Sequence, residues 1–289
     1  MNQQDHATRE AVVRVSAAGY SDTGRVREQN EDTIALYEPS DRALLAQLGR
    51  LYLLADGAGG HAAGEVASKT AVETVSAIYY QQLPSQEVGE ETFHSEDILQ
   101  QFDASFADLD APIVCIRRAF SAAHRQILES ASLTPAYAGM VTTCIAAVVK
   151  GTRVVIAHVG DSRAYLIRPS PAGSSTLTRL TRDHSMGEEL VRVGIISPEH
   201  AHDSPSRHVL TRALGSSQSD TAPDITACAI QAGDHLVLCC DGLWAMLTDE
   251  QIVSVVSRHT PHAACQRLVQ MANQAGGKDN ISVIVLSFS

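Results

Sequence analysis

The chain is poor in aromatic side chains, carries fewer bases than acids, and contains no long hydrophobic run. Aromatic residues make up 4% of its 289 residues, with a single Trp, which argues against stacking platforms for single-stranded nucleic acid. Only 22 Lys and Arg stand against 33 Asp and Glu, and the net charge of −11 has the wrong sign for a generic binder of phosphate backbones. No apolar run approaches the ~20 residues that span a bilayer. We therefore expect no nucleic-acid partner and no membrane partner.

Cysteine is present, but not at the spacings typical of a zinc site or a redox pair. In a chain of this length the thiols are expected to be free and mostly buried, in a reducing compartment. The six residues are Cys115, Cys144, Cys228, Cys239, Cys240 and Cys265. The first ten residues are polar and lack the apolar core of a signal peptide. We expect a soluble, cytoplasmic protein.

The acidic residues are concentrated in one segment. Gln86–Asp110 contains eight Asp or Glu and no Lys or Arg. Because like charges resist packing, the segment is either a solvated insertion or a docking surface for a basic partner. No repeat and no Gly/Ser linker divides the chain. We therefore predict a single domain over residues 11–289, with an acidic insertion around 84–111 and a polar tail at 1–10.

Hydrophobic periodicity groups the strands in blocks and the helices in pairs, rather than alternating them. The predicted strands are Val12–Ala18, Thr33–Tyr37, Leu51–Ala55, Thr143–Val149, Arg153–Val159, Arg163–Ile167, Ser175–Leu180, Ile225–Ile230, His235–Cys240 and Ile281–Phe288. The predicted helices are Ala62–Tyr80, Pro112–Ser130, Glu188–Val193, Asp249–Arg258 and His262–Ala275, with Ser197–Ser219 irregular. Near-continuous apolar runs at 154–157 and 236–240 indicate strands covered on both faces. The pattern predicts an α+β fold, a four-layer α/β/β/α sandwich of two mainly antiparallel sheets flanked by helices.

Four aspartates stand where a strand meets a loop. Asp56 and Asp241 each follow an apolar run and precede Gly, Asp161 follows Gly160, and Asp279 lies just before the last strand. Asp-Gly is also an ordinary turn dipeptide, so one instance alone would indicate a turn. If these ends converge, the carboxylates would repel one another unless cations compensate them. Oxygen-only ligands favour Mg or Mn over Zn.

An arginine and two further acids lie in the early segment Ser21–Asp32, beside a Gly-containing turn. Arg27, Glu31 and Asp32 form this group. A planar guanidinium beside metal-binding carboxylates is what a phosphoryl site needs, since it binds phosphate oxygens in bidentate fashion. The alternative is a surface turn held by salt bridges.

Seven segments in order carry a family resemblance: SDTGRVREQNED, LLADGAGGHAAGEVAS, HVGDSRAYL, LTRDHS, VLTRALG, LVLCCDGLW and GGKDNISVIV. Together they resemble the PPM (type 2C) metal-dependent protein Ser/Thr phosphatases in their bacterial form, from about Ser16 to Phe288. The resemblance implies the same sandwich fold, a flap around 185–220, and two Mn²⁺ or Mg²⁺ ions in the cleft between the sheets, with a third, weaker ion.

The resemblance also implies roles for individual residues. Asp56 would bridge both ions, the Gly57 carbonyl and Asp32 would serve one side, and Asp241 and Asp279 would hold the other ion. Asp161, with Asp241, matches the third-ion position, and Arg27 matches the phosphate-binding Arg. A metal-bridging hydroxide would attack phosphorus directly. His61 is a candidate general acid for the leaving group, and a water on the third metal is the alternative.

Two residues depart from the family pattern without removing a ligand: Ala58 replaces the usual Met, and Val141 replaces the usual Gly. The resemblance implies a protein-serine/threonine phosphatase acting on phosphorylated proteins, with a Ser/Thr kinase or its substrates as partners, and a monomer. The alternative is a catalytically weak pseudophosphatase that binds phosphoproteins as a regulatory module.

Overall fold

The computed structural model of the chain describes residues 13–58, 63–81, 104–170, 173, 175–197, 200, 205–217 and 221–289. Their strands, numbered β1–β11 in chain order, form two sheets in which every pair is antiparallel. The first contains β1 (Val15–Asp22), β7 (Arg163–Pro169), β8 (Ser175–Arg179), β10 (His235–Cys239) and β11 (Ile281–Phe288), in the order β1-β11-β10-β7-β8. The second contains β2 (Asp32–Tyr37), β3 (Arg50–Ala58), β5 (Cys144–Lys150), β6 (Arg153–Val159) and β9 (Asp224–Ala229) in that order, and β4 (Val141–Thr142) pairs with the end of β3.

Helices cover the outer face of each sheet. In chain order they are α1 (Arg42–Leu48), α2 (Ala63–Tyr79), α3 (Asp110–Leu133), α4 (Met186–Arg192), α5 (Asp241–Trp244), α6 (Asp249–Val256) and α7 (Pro261–Gln274), with 3₁₀ turns at Ala104–Leu109, Pro135–Tyr137 and Pro205–His208. The apolar sides of α2 and α3 pack on the second sheet, and those of α6 and α7 pack on the first. None of the helices in these residues is both long and apolar enough to cross a bilayer.

Three separate apolar layers result from the alternation of side chains along the strands. In β3, Leu51 and Leu53 face the helices α2 and α3, whereas Tyr52 and Leu54 face the other sheet. A third cluster joins the first sheet to its own helices. The central strands of both sheets are therefore buried on both faces, and the predicted four-layer α/β/β/α sandwich is confirmed.

The structure differs from the sequence prediction mainly at element ends and in short elements. Helix α3 begins at Asp110 rather than at the predicted Pro112. Proline is tolerated inside the first turn, because the N–H group that it lacks would have no partner within the helix. Helix α1 was not predicted; Asp41 caps it by accepting hydrogen bonds from the N–H groups of Ala43 and Leu44. Helix α5 was also missed, so Asp241 begins a helical turn instead of a loop.

Several predicted features lie partly or wholly outside the residues that the structure describes, and others lie within them. Most of the acidic insertion and the polar tail lie outside the described residues, as does His61. The described part of the flap contains α4, the 3₁₀ turn at Pro205–His208, and isolated bridges from Ser185 to Leu210 and from Thr142 to Leu214. All six cysteines are free as predicted, five of them buried and Cys228 partly so.

Candidate metal centre

The predicted acidic side chains meet in one cavity of about 370 Å³ at the ends of both sheets. Asp56, Asp161, Asp241, Asp279 and Arg27 line it. The other lining residues are Glu31, Gly57, Ala58, Thr143, His208 and Leu210. Asp32 is buried beside this cavity, because it lies directly opposite Asp56 in the pairing of β2 with β3. The structure thus brings together residues that are up to about 250 positions apart in the sequence.

The topology explains why these side chains converge. Strand β10 runs antiparallel to β11, so Asp241 after β10 and Asp279 before β11 lie at the same end of the first sheet. Asp161 lies in the connection from β6 to β7, where the chain passes from one sheet to the other. Asp56 stands near the end of β3 in the second sheet. The cavity therefore forms where the ends of the two sheets face each other.

Two of the metal-site aspartates, Asp56 and Asp241, are followed by a glycine that close backbone approach requires. A Cβ at Gly57 would overlap the carbonyl oxygen of Gly64, and a Cβ at Gly242 would overlap that of Asn280. Any larger residue would push helix α2 or the Asp279–Asn280 segment away from the cavity. The two Asp-Gly pairs are therefore packing features of the site as well as turns.

Two threonines fix the backbone of Asp56. The Thr143 N–H donates to the Asp56 carbonyl at 2.9 Å, and the Asp56 N–H donates to the Thr143 hydroxyl at 3.0 Å. The Thr142 hydroxyl donates to the same Asp56 carbonyl at 2.9 Å. The Thr143 hydroxyl is also 2.9 Å from that of Ser162, beside Asp161. These bonds hold two of the aspartates in a fixed relation, and sequence analysis did not identify them.

Asn280 joins the arginine loop to the last strand, and sequence analysis missed this residue too. Its side-chain oxygen accepts from the Glu31 N–H at 2.8 Å, and its amide nitrogen donates to the carbonyls of Thr23 at 3.0 Å and Gln29 at 2.8 Å. An amide directly after Asp279 was the available signal, because an Asn side chain can both donate and accept. Asn280 therefore positions the loop that carries Arg27.

Arg27 extends over the cavity from this loop. Its side chain is 51% exposed, and its Nη2 donates to Oδ2 of Asp279 at 2.7 Å. This hydrogen bond raises the pKa of Arg27, so the guanidinium is charged at any relevant pH. A guanidinium has five N–H donors, so further donors are available to an anion in the cavity.

Asp161 is held by a buried aromatic residue. The indole Nε1 of Trp244 donates to the Asp161 carbonyl at 3.1 Å, and the Arg163 guanidinium lies 3.6 Å from the centre of the Trp244 ring. Arg163 in turn donates to both carboxylate oxygens of Asp183. Trp244 is buried, and its indole N–H orients the backbone of Asp161.

The carboxyl groups strongly perturb one another. Burial raises the pKa of Asp32 to about 7, and the nearby charges of Asp241 and Asp279 add to the effect. Burial, followed by the charge of Asp32, raises the pKa of Asp56 well above its ordinary value. The pKa of Asp161 is raised too, first by burial and then by Asp241. The site therefore stores electrostatic repulsion that a cation would relieve.

These residues fit a hard divalent cation. Both carboxylate oxygens of Asp32 are buried and accept no hydrogen bond from the described residues. Potential ligand atoms of Asp32, Asp56 and Cys240 lie within 4.8 Å of one another. Burial raises the pKa of the Cys240 thiol well above its ordinary value, and its sulfur already donates to the Asn280 carbonyl at 3.3 Å. The available ligands are therefore carboxylate oxygens, which Mg²⁺ and Mn²⁺ prefer.

Of the predicted site residues, the structure brings together Arg27, Asp32, Asp56, Gly57, Asp161, Asp241 and Asp279. It also places His208, from the flap, at the same cavity, with Nδ1 3.5 Å from Oδ2 of Asp241.

Comparisons with known proteins identify the family of the chain. The family model for protein phosphatase 2C matches residues 17–281. The Serine/threonine phosphatase stp of Listeria welshimeri is 33% identical over 270 residues, which cover 92% of this chain and 93% of that protein. The Serine/threonine protein phosphatase PstP of Mycobacterium tuberculosis is 34% identical over 268 residues, or 93% of this chain and 44% of PstP, so the chain spans less than half of that relative.

A solved structure of the catalytic domain of PstP, in complex with two manganese ions, superposes with a TM-score of 0.69 at 32% identity. The match covers 96% of this chain and 99% of that domain. The family model and the relatives cover nearly all of the chain, and the solved structure shares its fold. The chain therefore belongs to the protein phosphatase 2C (PPM) family of protein serine/threonine phosphatases, in its bacterial form.

Proposed function

We propose that the chain is a metal-dependent phosphoprotein phosphatase that hydrolyses phosphoserine and phosphothreonine. The observation that carries the proposal is the set of buried and half-buried, mutually repelling carboxylates around one cavity, with the Arg27 guanidinium over it. The named relatives are serine/threonine phosphatases, which supports phosphoproteins as the substrate class. A Ser/Thr kinase or its substrates, and a monomeric state, belong to the proposal.

The proposed ligand set follows the positions of the aspartates. Asp56 would serve both of two Mn²⁺ or Mg²⁺ ions, with the Gly57 carbonyl and Asp32 on one side of it. Asp241 and Asp279 would hold the second ion. Asp161, whose pKa responds to the charge of Asp241, would share a third and weaker ion with Asp241.

The bound ions would supply a water of lowered pKa that attacks phosphorus, and would neutralise charge on the phosphoryl group. Arg27, held by Asp279, would bind the phosphoryl oxygens and keep phosphorus in line for attack. Among the described residues that line the cavity, Thr143 has the only hydroxyl, and it is occupied by the Asp56 N–H and by Ser162. This arrangement argues against a hydroxyl nucleophile on the enzyme and is consistent with the proposed direct attack by water.

The serine or threonine oxygen must gain a proton as it leaves. His61 remains the proposed donor, because an imidazole titrates near neutral pH and the residue follows the Asp56 strand closely in sequence. A water at the third-ion position is the alternative. The variant His61→Gln distinguishes them: kcat falls on phosphoserine peptides but little on an aryl phosphate, whose leaving group needs no proton, if His61 is the donor.

A metal-dependent assay tests the proposed function. With Mn²⁺ the chain should hydrolyse a phosphothreonine peptide, chelator should stop the reaction, and Asp56→Asn and Asp241→Asn should each remove most of the activity. Asp41→Asn is the matched control, because Asp41 only caps helix α1 and Asn caps equally well. Activity that survives chelator and both site variants would contradict the proposal.

A phosphoprotein-binding pseudophosphatase is the second candidate, and one observation favours it. Ala58 and Val141, the two departures from the family pattern, face each other in the pairing of β3 with β4. Ala58 also lines the acidic cavity. A paired change beside the site could weaken turnover while leaving the ligands in place. Stoichiometric Mn²⁺ by mass spectrometry, together with phosphopeptide binding but no hydrolysis, would favour this candidate over the enzyme.

A further inference from the structure

A second cavity, of about 680 Å³, shares none of its lining residues with the acidic one among the residues that the structure describes. Its charged lining consists of four arginines, from α3, from β8 and the residues after it, and from the end of the flap, against a single aspartate. The arginines are Arg117, Arg179, Arg182 and Arg212, and the aspartate is Asp224. In a chain of net charge −11, four arginines against one aspartate is a local excess of basic residues in the lining.

Acidic side chains lie beside three of these arginines. Arg212 pairs with Asp224 at 2.6 Å, and Arg179 pairs with Glu188 at 3.1 Å. Arg182, whose side chain is 51% exposed, is 3.9 Å from its acidic neighbour Glu189, a distance typical of a weak surface pair. Arg212 also donates to the Ala222 carbonyl and lies 2.8 Å from His184 Nε2, and Arg179 also lies 3.8 Å from Asp183. A guanidinium has five N–H donors in a planar fork, so the single distant carboxylate beside Arg182 leaves donors of that residue available for a bound anion.

His158, which lines the cavity, and its neighbour His184 do not suit a metal ion. His158 and His184 are buried and their rings stack with centres 4.7 Å apart. His158 Nε2 is 2.8 Å from the Arg182 carbonyl, and His184 Nδ1 accepts from the Gly160 N–H at 3.1 Å. Although these rings and Asp224 have the composition of a metal site, the Arg212 guanidinium already lies 2.8 Å from His184 Nε2. A fixed cation in that place favours an anion as the ligand.

The basic cavity adjoins the acidic one. Leu210 lines the acidic cavity and Arg212 lines the basic cavity, and the Cα atoms of residues two apart are at most about 7 Å from each other. The backbone N–H of His184 also donates to the Gly160 carbonyl at 3.0 Å, directly before Asp161. A ligand that extends a few residues beyond the acidic cavity can therefore reach the arginines.

We propose that the basic cavity is a second phosphoryl-binding site. It takes a phosphate group of the substrate protein other than the one being hydrolysed, or inorganic phosphate, and both offer the same tetrahedral, doubly charged oxyanion to the guanidinium forks. Its volume exceeds that of a phosphate alone and accommodates a phosphorylated side chain with its neighbours. The use of the site in catalysis depends on the proposed phosphatase function, whereas binding at the arginines does not.

Equilibrium dialysis with radiolabelled inorganic phosphate, in Mg²⁺, tests binding. The unmodified chain should bind two phosphates, Arg27→Gln one, and the double variant Arg117→Gln/Arg182→Gln one. Arg118→Gln, the adjacent exposed arginine of α3 outside the cavity lining, is the matched control and should bind two. Retained hydrolysis of an aryl phosphate by the double variant shows that it is folded.

The outcomes separate this inference from the phosphatase proposal. An unmodified chain that binds one phosphate, lost in Arg27→Gln and retained in the double variant, overturns the second site. A double variant that still binds two phosphates also overturns the second site. If the unmodified chain binds one phosphate and only the double variant loses it, the result supports the basic site and contradicts the proposed role of Arg27.

Matched peptides with one or two phosphoryl groups identify the source of the ligand. If the substrate supplies it, kcat/KM for the doubly phosphorylated peptide exceeds that for the single one by about tenfold, the scale of hydrogen bonds to a charged group. The double variant should then lose this ratio and keep its rate on the single peptide, while Arg118→Gln keeps both. If the unmodified chain has the same kcat/KM for both peptides and still binds two phosphates, the site is assigned to inorganic phosphate.

Discussion

Replacing Asp32 with Asn should stabilise the metal-free protein while it destroys the proposed metal site. The pKa of Asp32 is about 7 in the folded chain against an ordinary value of 3.8. At about 1.4 kcal/mol for each pKa step, folding with the carboxylate charged costs about 4 kcal/mol at pH 7 and above. The folded state binds this proton more tightly than the unfolded state, so the contribution to stability is greatest near pH 4 and falls as the pH rises towards 7.

Urea denaturation of chelator-treated protein at pH 5 and pH 8 measures this effect. For the unmodified chain, we expect the free energy of unfolding to fall between the two pH values by an amount on the order of a few kcal/mol. The variant Asp32→Asn should show a smaller fall and should be the more stable protein at pH 8. Mn²⁺ should stabilise the unmodified chain at pH 8, because it binds only the folded carboxylate cluster, and should stabilise the variant much less.

The control is Asp41→Asn, which makes the same charge change at an exposed helix cap. It should leave the unfolding free energy, its pH dependence and the Mn²⁺ effect unchanged. If Asp32→Asn is less stable than the unmodified chain at pH 8 in chelator, the carboxylate is not strained there, and the reasoning is refuted.

Three further changes test the structural supports of the site. Asn280→Ala removes three hydrogen bonds between the Arg27 loop and the last strand. This variant should lower kcat/KM roughly 10- to 100-fold and should bind Mn²⁺ more weakly by calorimetry. Asn280→Asp should not restore kcat/KM, because the two N–H donors of the amide are lost. Thr143→Val leaves the buried Asp56 N–H without its acceptor and should lower the unfolding free energy by about 1–3 kcal/mol in urea; an unchanged value would count against that bond. Gly242→Ala forces a methyl group onto the Asn280 carbonyl and should cost about 1–3 kcal/mol or more, so an equally stable variant would show that the packing is looser than described.

Much of the fold could be predicted because many of its strands are strongly apolar, and this pattern can be seen within a short stretch of sequence. The strands at 153–159 and 281–288 begin and end as predicted, since continuous burial gives a clear pattern. Helix α1 was missed because seven residues give less than two full turns of periodicity. Helix α5 was missed because its four residues follow an Asp-Gly pair, which is also a turn signal.

The site could be predicted in its members but not in its geometry. Asp56 and Asp241 stand out because each ends an apolar strand and precedes Gly. The sequence does not show that Asp32 lies opposite Asp56, since that follows from the register of β2 on β3. The hydrogen bonds of Asn280 and the basic cavity depend on contacts between distant segments, which local patterns do not encode.

The most direct test of the metal centre is a crystal of the chain grown with Mn²⁺, with diffraction recorded at the manganese absorption edge. We expect anomalous peaks for two ions in the acidic cavity, one on each side of Asp56, with Asp241 and Asp279 beside the second. No manganese peak in that cavity, in crystals whose solution is saturated with the ion, would contradict the claim that these carboxylates form a metal centre.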